Sequence, residues 1–173
     1  MPARANQRRL VASQGGSLSR MVFGAMASIL ILVGTESGNA QMVADAVKPV
    51  LVAAGHVVDV TDKAATSADL ASHDVLLVVC ATHGSGDIPT NITPLAETLE
   101  RDRPDLSRHR YGMIALGDMT YQDTFCGGGK KLDWVFGLCG ARKLGDRLEV
   151  DASSQPLPDE EAISWVEDWK VLV

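Results

Sequence analysis

Three short apolar runs, Ile29–Val33, Val75–Cys80 and Tyr111–Leu116, are each followed at once by a polar segment containing glycine. These segments are Gly34-Thr35-Glu36-Ser37-Gly38-Asn39-Ala40, Thr82-His83-Gly84-Ser85-Gly86-Asp87 and Gly117-Asp118-Met119-Thr120-Tyr121. A strand that is apolar along its whole length has both faces covered, as strands inside a parallel sheet do. Parallel neighbours need crossover connections, normally helices. In open sheets of this kind the loops at the carboxyl ends of the strands converge on one crevice, where ligands bind.

The intervening chain supplies the crossovers. From Asn39 to Ala54, Met42, Val43, Ala46, Val47 and Val50 recur at helical spacing; Pro49 predicts weaker later turns and Gly55 the end of the helix. Val57–Val60 predicts a second strand, and 62–72 a loop with one helical turn at most. Residues 92–101 predict a helix with Pro94 in its first turn, where the missing N–H costs little. A further helix is predicted over Gly127–Cys139. A last strand follows over 141–150, interrupted near Gly145-Asp146, and a final helix from Asp159 carries Ile163, Val166 and Trp169 on one face. Five strands alternating with helices make a doubly wound α/β domain.

At 173 residues the chain is one domain of ordinary size. No apolar run approaches the ~20 residues of a membrane span, so the reading is a protein with no membrane segment. Cys80, Cys126 and Cys139 are odd in number and lack metal-ligand spacing, which predicts reduced thiols in a cytoplasmic protein. The net charge is −6; residues 1–28 hold four arginines and no acid, so the remainder carries −10. That balance argues against nucleic acid and toward basic protein partners. Residues 1–27 fit no folded element, and 28–173 form the predicted domain. The preceding stretch is read as disordered, or as upstream of a true start at Met21 or Met26 rather than Met1. A targeting segment is the competing reading.

The first polar segment offers the chemistry of a phosphate site. Thr35, Ser37 and Asn39 are short donors, Gly38 admits close backbone approach, and the next helix points unpaired N–H groups at the ligand. No lysine stands in it, so it is not a Walker-type nucleotide loop. Alone, such a segment is also an ordinary helix cap. In the second segment Gly84 and Gly86 permit backbone conformations that other residues resist. His83 is read either as lying over a flat ring or as a solvent-exposed turn histidine. In the third, Tyr121 follows a strand end in a chain with only 5% aromatic residues, well placed to stack on a ring system. Trp134, Trp165 and Trp169 are read as packing residues.

Taken together over 28–173, these segments resemble the flavodoxin superfamily, especially its small MioC-type members and the FMN domains of diflavin reductases. The resemblance is carried by 34–40, by Thr82 through Asn91 running on to Pro94, and by Gly117 through Cys126. It implies a flavodoxin-like fold with strand order 2-1-3-4-5 and non-covalently bound FMN. Thr35, Glu36, Ser37, Gly38, Asn39 and Ala40 fall on the family's phosphate loop. Thr82, His83, Gly84, Ser85 and Gly86 fall on its second flavin loop, with Gly84 beside the flavin N5. Gly117, Asp118, Tyr121, Phe125 and Cys126 fall on its third, with Tyr121 as the outer stacking ring. His83, Met119 and Thr120 depart from the commonest family residues.

The function implied is that of a monomeric carrier of single electrons rather than an enzyme. An NADPH-dependent flavodoxin/ferredoxin reductase with bound FAD would supply the electrons to the acidic face, and acceptor redox enzymes would collect them there. Asp87, Asp118, Asp123 and Tyr121 would disfavour a negatively charged reduced flavin, while a peptide flip at Gly84 would favour the neutral one-electron-reduced form. An FMN-dependent NAD(P)H:quinone reductase and a cofactor-free interaction module on the same fold are the alternatives.

Overall fold

The structure is a computed structural model that describes residues 25–173. Its elements alternate as the sequence predicts: β1 (Ser28–Gly34), α1 (Asn39–Ala53), β2 (Val57–Thr61), α2 (Ser67–Ala71), β3 (Val75–Cys80), α3 (Thr93–Asp102), β4 (Arg110–Gly117), α4 (Gly127–Leu138), β5 (Arg142–Lys143), β6 (Leu148–Asp151) and α5 (Pro158–Trp169). All the strand pairings in the sheet are parallel, and the order is β2-β1-β3-β4-β5, with β6 also pairing with β4. This is the flavodoxin-like arrangement 2-1-3-4-5, its last strand split in two.

Successive side chains of a strand point to opposite faces, and the two cores follow that alternation. Ile29, Ile31, Val33, Val75, Leu77, Val79 and Ile114 pack with α1 and α5. Leu30, Leu32, Leu76, Val78, Cys80, Tyr111 and Met113 pack with α3 and α4. Burial of each such aliphatic side chain is worth about 1.5–3 kcal/mol, so the central strands are fixed and their carboxyl ends hold the loops at one edge.

Pro49 does not shorten α1, which runs on to Ala53. The proline is exposed, so its ring displaces no core contact. The split of the last strand has a packing cause. Between the Tyr111↔Lys143 and Ile114↔Leu148 pairs the register advances by two residues. Trp169 occupies the bulge: its Nε1 donates to the Leu144 carbonyl at 3.0 Å, and its indole lies over Gly112, where a Cβ would come within 2.6 Å of the ring. On the opposite face of the sheet, buried Asp133 of α4 accepts from Tyr111 Oη at 2.7 Å and from Lys143 Nζ at 2.8 Å, and Arg147 pairs with it as well.

The expected extension over 1–27 falls mostly outside the described residues. Ala27, at its end, is 6% exposed, and its N–H donates to the Nδ1 of His56 at 3.2 Å. No helix among the described residues is long and apolar enough to cross a membrane.

Candidate functional site

The three polar segments meet at the carboxyl edge of the sheet. β1 ends at Gly34, and the chain turns through Thr35–Gly38, with Gly38 at φ 91°. The Gly38 N–H donates to Thr35 Oγ1 at 2.9 Å. α1 then starts at Asn39 with no side-chain cap, so the N–H groups of its first turn stay available to an outside acceptor. Asn91, which the loop pattern alone does not single out as a site residue, accepts from the Thr35 N–H at 2.9 Å and donates to the carbonyls of Val33 at 2.8 Å and Asp62 at 2.7 Å. Glu36 Oε1 accepts from the Thr90 N–H at 2.6 Å, which holds its carboxyl below the usual carboxylate range.

The second loop is a closed turn. His83 and Asp87 exchange backbone hydrogen bonds of 2.9 and 2.7 Å, enclosing Gly84 (φ 50°), Ser85 and Gly86 (φ 89°). It leans on the start of α4. A Cβ on Gly127 would lie 2.6 Å from the Gly86 carbonyl oxygen, and one on Gly128 would lie 2.4 Å from that of Ala81. Gly127 and Gly128 therefore admit loop backbone where side chains would stand, and Gly129 admits Ala115 of β4, 2.4 Å from where its Cβ would lie. Lys131 Nζ donates to Asp87 Oδ1 at 2.7 Å, and this pairing lowers the Asp87 carboxyl. Thr82 Oγ1 donates to the Leu116 carbonyl at 2.9 Å, tying the second loop to the third strand end.

The third loop is a 3-10 turn, Met119–Thr124, capped by Asp118, whose carboxylate accepts from the Thr120 N–H at 2.8 Å. Asp151, at the end of β6, accepts from the Met119 N–H at 2.8 Å and from Ser153 and Ser154. The Met119 N–H leads the contacts that hold its carboxyl far below the ordinary range. Tyr121 is 67% exposed on this turn. Phe125 and Cys126 are buried with Ala115 beneath it, where they support Gly117 from below. Burial pushes the thiols of Cys80 and Cys126 up to about 12.

Between the loops lies a cavity of about 500 Å³, within the range of cofactor sites. Ser37 and Asn39 line one end, and Thr82, Gly84, Gly117, Asp118 and Tyr121 line the rest. A shallower hollow of about 530 Å³ adjoins it on the far side of Tyr121, walled by Ser85, Asp123 and their neighbours. Thr35, Glu36, Gly38, Ala40, His83, Gly86, Phe125 and Cys126 shape or support the walls without lining the main cavity. His83 is exposed on the second loop.

The structure adds wall residues the loop pattern does not reveal. Val150, Ala152, Gln155, Pro156 and Pro158 come from the β6–α5 connection. Met42, placed by helical spacing on the buried face of α1, is 45% exposed and lines the cavity. Among the described lining residues Asp118 is the sole charged side chain. A phosphate at the Ser37–Asn39 end would thus meet neutral donors and the positive end of α1. Tyr121 and Gly84 of the 82–86 turn both line the cavity.

Comparison with known proteins agrees with this geometry. The family described as Flavodoxin matches residues 31–165. Flavodoxin YqcA of Escherichia coli is 40% identical over 149 residues, covering 86% of this chain and 99% of that one. Protein MioC of Escherichia coli is 35% identical over 144 residues, covering 83% and 97%. Among solved structures, a cysteine-to-alanine variant of a flavodoxin from Pseudomonas aeruginosa superimposes with a TM-score of 0.77 at 32% identity, covering 84% and 97%.

Proposed function

The chain belongs to the flavodoxin family, and we propose that it carries single electrons from an NADPH-dependent flavodoxin/ferredoxin reductase to acceptor redox enzymes, with FMN as its cofactor. The observation that carries this reading is the single cavity into which all three loops open, with uncapped helix N–H groups at one end and an exposed tyrosine at the other. Bound FMN supplies the redox chemistry, taking up and releasing electrons one at a time.

The chain's own residues bind, orient and bias that group. Ser37, Asn39 and the first turn of α1 receive the phosphate without a cation. Tyr121 covers the outer face of the ring and leaves an edge open to partners. Gly84 is the glycine free to turn its peptide toward the ring: a Cβ there would meet only an Asp87 carboxylate oxygen, at 3.5 Å. Gly86, by contrast, is pressed between Thr124 and Gly127. Asp118 lines the cavity and Asp123 the hollow beside it, and Lys131 partly neutralises Asp87. This charge opposes negative charge on the ring and steers basic partners to its edge.

The test is a titration of FMN-free protein with FMN, then reduction by a basic NADPH-dependent reductase across ionic strength. The reading expects one FMN per chain. It also expects a reduction rate that falls as the Debye length shrinks from about 30 Å at 0.01 M salt to about 8 Å at 0.15 M. Steady NADPH oxidation without added reductase would favour a quinone-reductase type of enzyme instead. Failure to take up FMN would favour a cofactor-free interaction module.

A further inference from the structure

Thr90 and Asn91 lie outside the cavity wall yet are bonded to every segment that sets the shape of the phosphate loop. Both N–H groups of the Asn91 amide are spent on carbonyls, Val33 at the end of β1 and Asp62 after β2, and its oxygen receives the Thr35 N–H. Turned over, the amide would face its oxygen to two carbonyls and its N–H groups to another donor, so one orientation is enforced. Thr35, so held, accepts from the Gly38 N–H at the residue preceding α1. Glu36, the next residue, is tied by its carboxylate to the Thr90 N–H. Two consecutive residues of the loop are thus clasped to two consecutive residues of the segment that follows the second flavin loop.

We propose that Asn91 and Glu36 are positioning residues, a clasp that presets the phosphate loop and so makes the site select FMN over the same flavin without its phosphate. This rests on the FMN reading of the cavity. A loop already fixed in its bound shape has less to lose on binding, and the benefit falls on the phosphate, since that is what the loop contacts. Glu36 acts here through its hydrogen bond; its negative charge beside a phosphate works against binding.

The test uses the full chain freed of FMN, with Asn91→Ala, Glu36→Ala and Glu36→Gln. Dissociation constants for FMN and riboflavin are measured by fluorescence quenching, and amide hydrogen exchange is followed along the chain. For Asn91→Ala, FMN should bind roughly tenfold more weakly. Riboflavin should change by less than about twofold, and exchange should rise at 34–41 but not in β3 or β4. Glu36→Ala should weaken FMN binding, and Glu36→Gln, which keeps the acceptor and drops the charge, should restore it. The proposal is overturned if both flavins weaken together with exchange rising across the sheet, if FMN affinity is unchanged, or if Glu36→Ala binds FMN as tightly as Glu36→Gln. Should Asn91→Ala fail to fold, the exposed Glu36 pair decides. A wild-type protein that binds neither flavin would refute the FMN reading instead, while the exchange comparison still decides whether the clasp exists.

Discussion

Two glycines of α4 should respond to alanine in opposite directions. At Gly128 the new Cβ would lie 2.4 Å from the Ala81 carbonyl oxygen and 2.8 Å from that of Asp87, both backbone atoms of the second flavin loop. Carbon–oxygen contacts settle at about 3.3–3.6 Å, so loop or helix must yield by roughly 1 Å. Forced overpacking of this kind costs about 1–3 kcal/mol, offset by up to about 1 kcal/mol from the better helix former. At Gly137, near the other end of the same helix, nothing lies within 4 Å of the new Cβ. There only the gain remains, about 0.5–1 kcal/mol. Urea unfolding of the FMN-free protein should therefore place Gly137→Ala above wild type and Gly128→Ala at or below it. Because the displaced loop forms a wall of the cavity, FMN affinity should fall about tenfold in Gly128→Ala alone, the equivalent of about 1.4 kcal/mol. Equal stabilities and equal FMN affinities for the two variants would refute the claim that the helix start sets the position of that wall.

Gly112→Ala should lose about 1–3 kcal/mol of stability in urea with FMN affinity intact, because the Trp169 indole it would strike is anchored to the Leu144 carbonyl on the core side of the sheet. Burial holds the His56 imidazole below its ordinary value, so the unfolded chain takes up the proton first. His56 therefore contributes full stability above about pH 6.5 and loses it as pH falls through the lowered native value. His56→Asn should flatten that stretch of the urea-midpoint profile, and an unchanged slope would contradict the assignment. Tyr121→Leu should cost about 0.5–1.5 kcal/mol of FMN affinity. It should also make the lower of the two flavin potentials less negative, by about 59 mV for each tenfold change in relative affinity, as read by anaerobic redox titration.

The strands were legible because both faces of a parallel strand are buried. Val75–Cys80 and its neighbours carry the fold in their composition alone. The crevice was legible for the same reason, since fixed strand ends fix where their loops meet. What the sequence hid depends on contacts between distant residues. Nothing near Gly145 says that Trp169 will fill a bulge there, and nothing in Asn91 says that its amide will join the end of β1, the phosphate loop and the residue after β2. Pro49 signals weaker later turns, yet α1 runs on through it to Ala53. Met42 follows helical spacing and yet faces the site, because α1 begins at the cavity. Phe125 and Cys126 lie close to the flavin loops in sequence, but their close packing against Gly117 and Ala115 sets them beneath the cavity floor.

The most direct measurement is anaerobic photoreduction of the FMN-loaded protein, followed by its visible spectrum. A turning peptide at Gly84 and an acidic mouth together predict that reduction proceeds in two resolved one-electron steps. A broad long-wavelength absorption of the one-electron-reduced flavin should rise and then fall. Flavin bands that bleach in a single step, with no long-wavelength absorption at any stage, would contradict the single-electron carrier and point to two-electron chemistry.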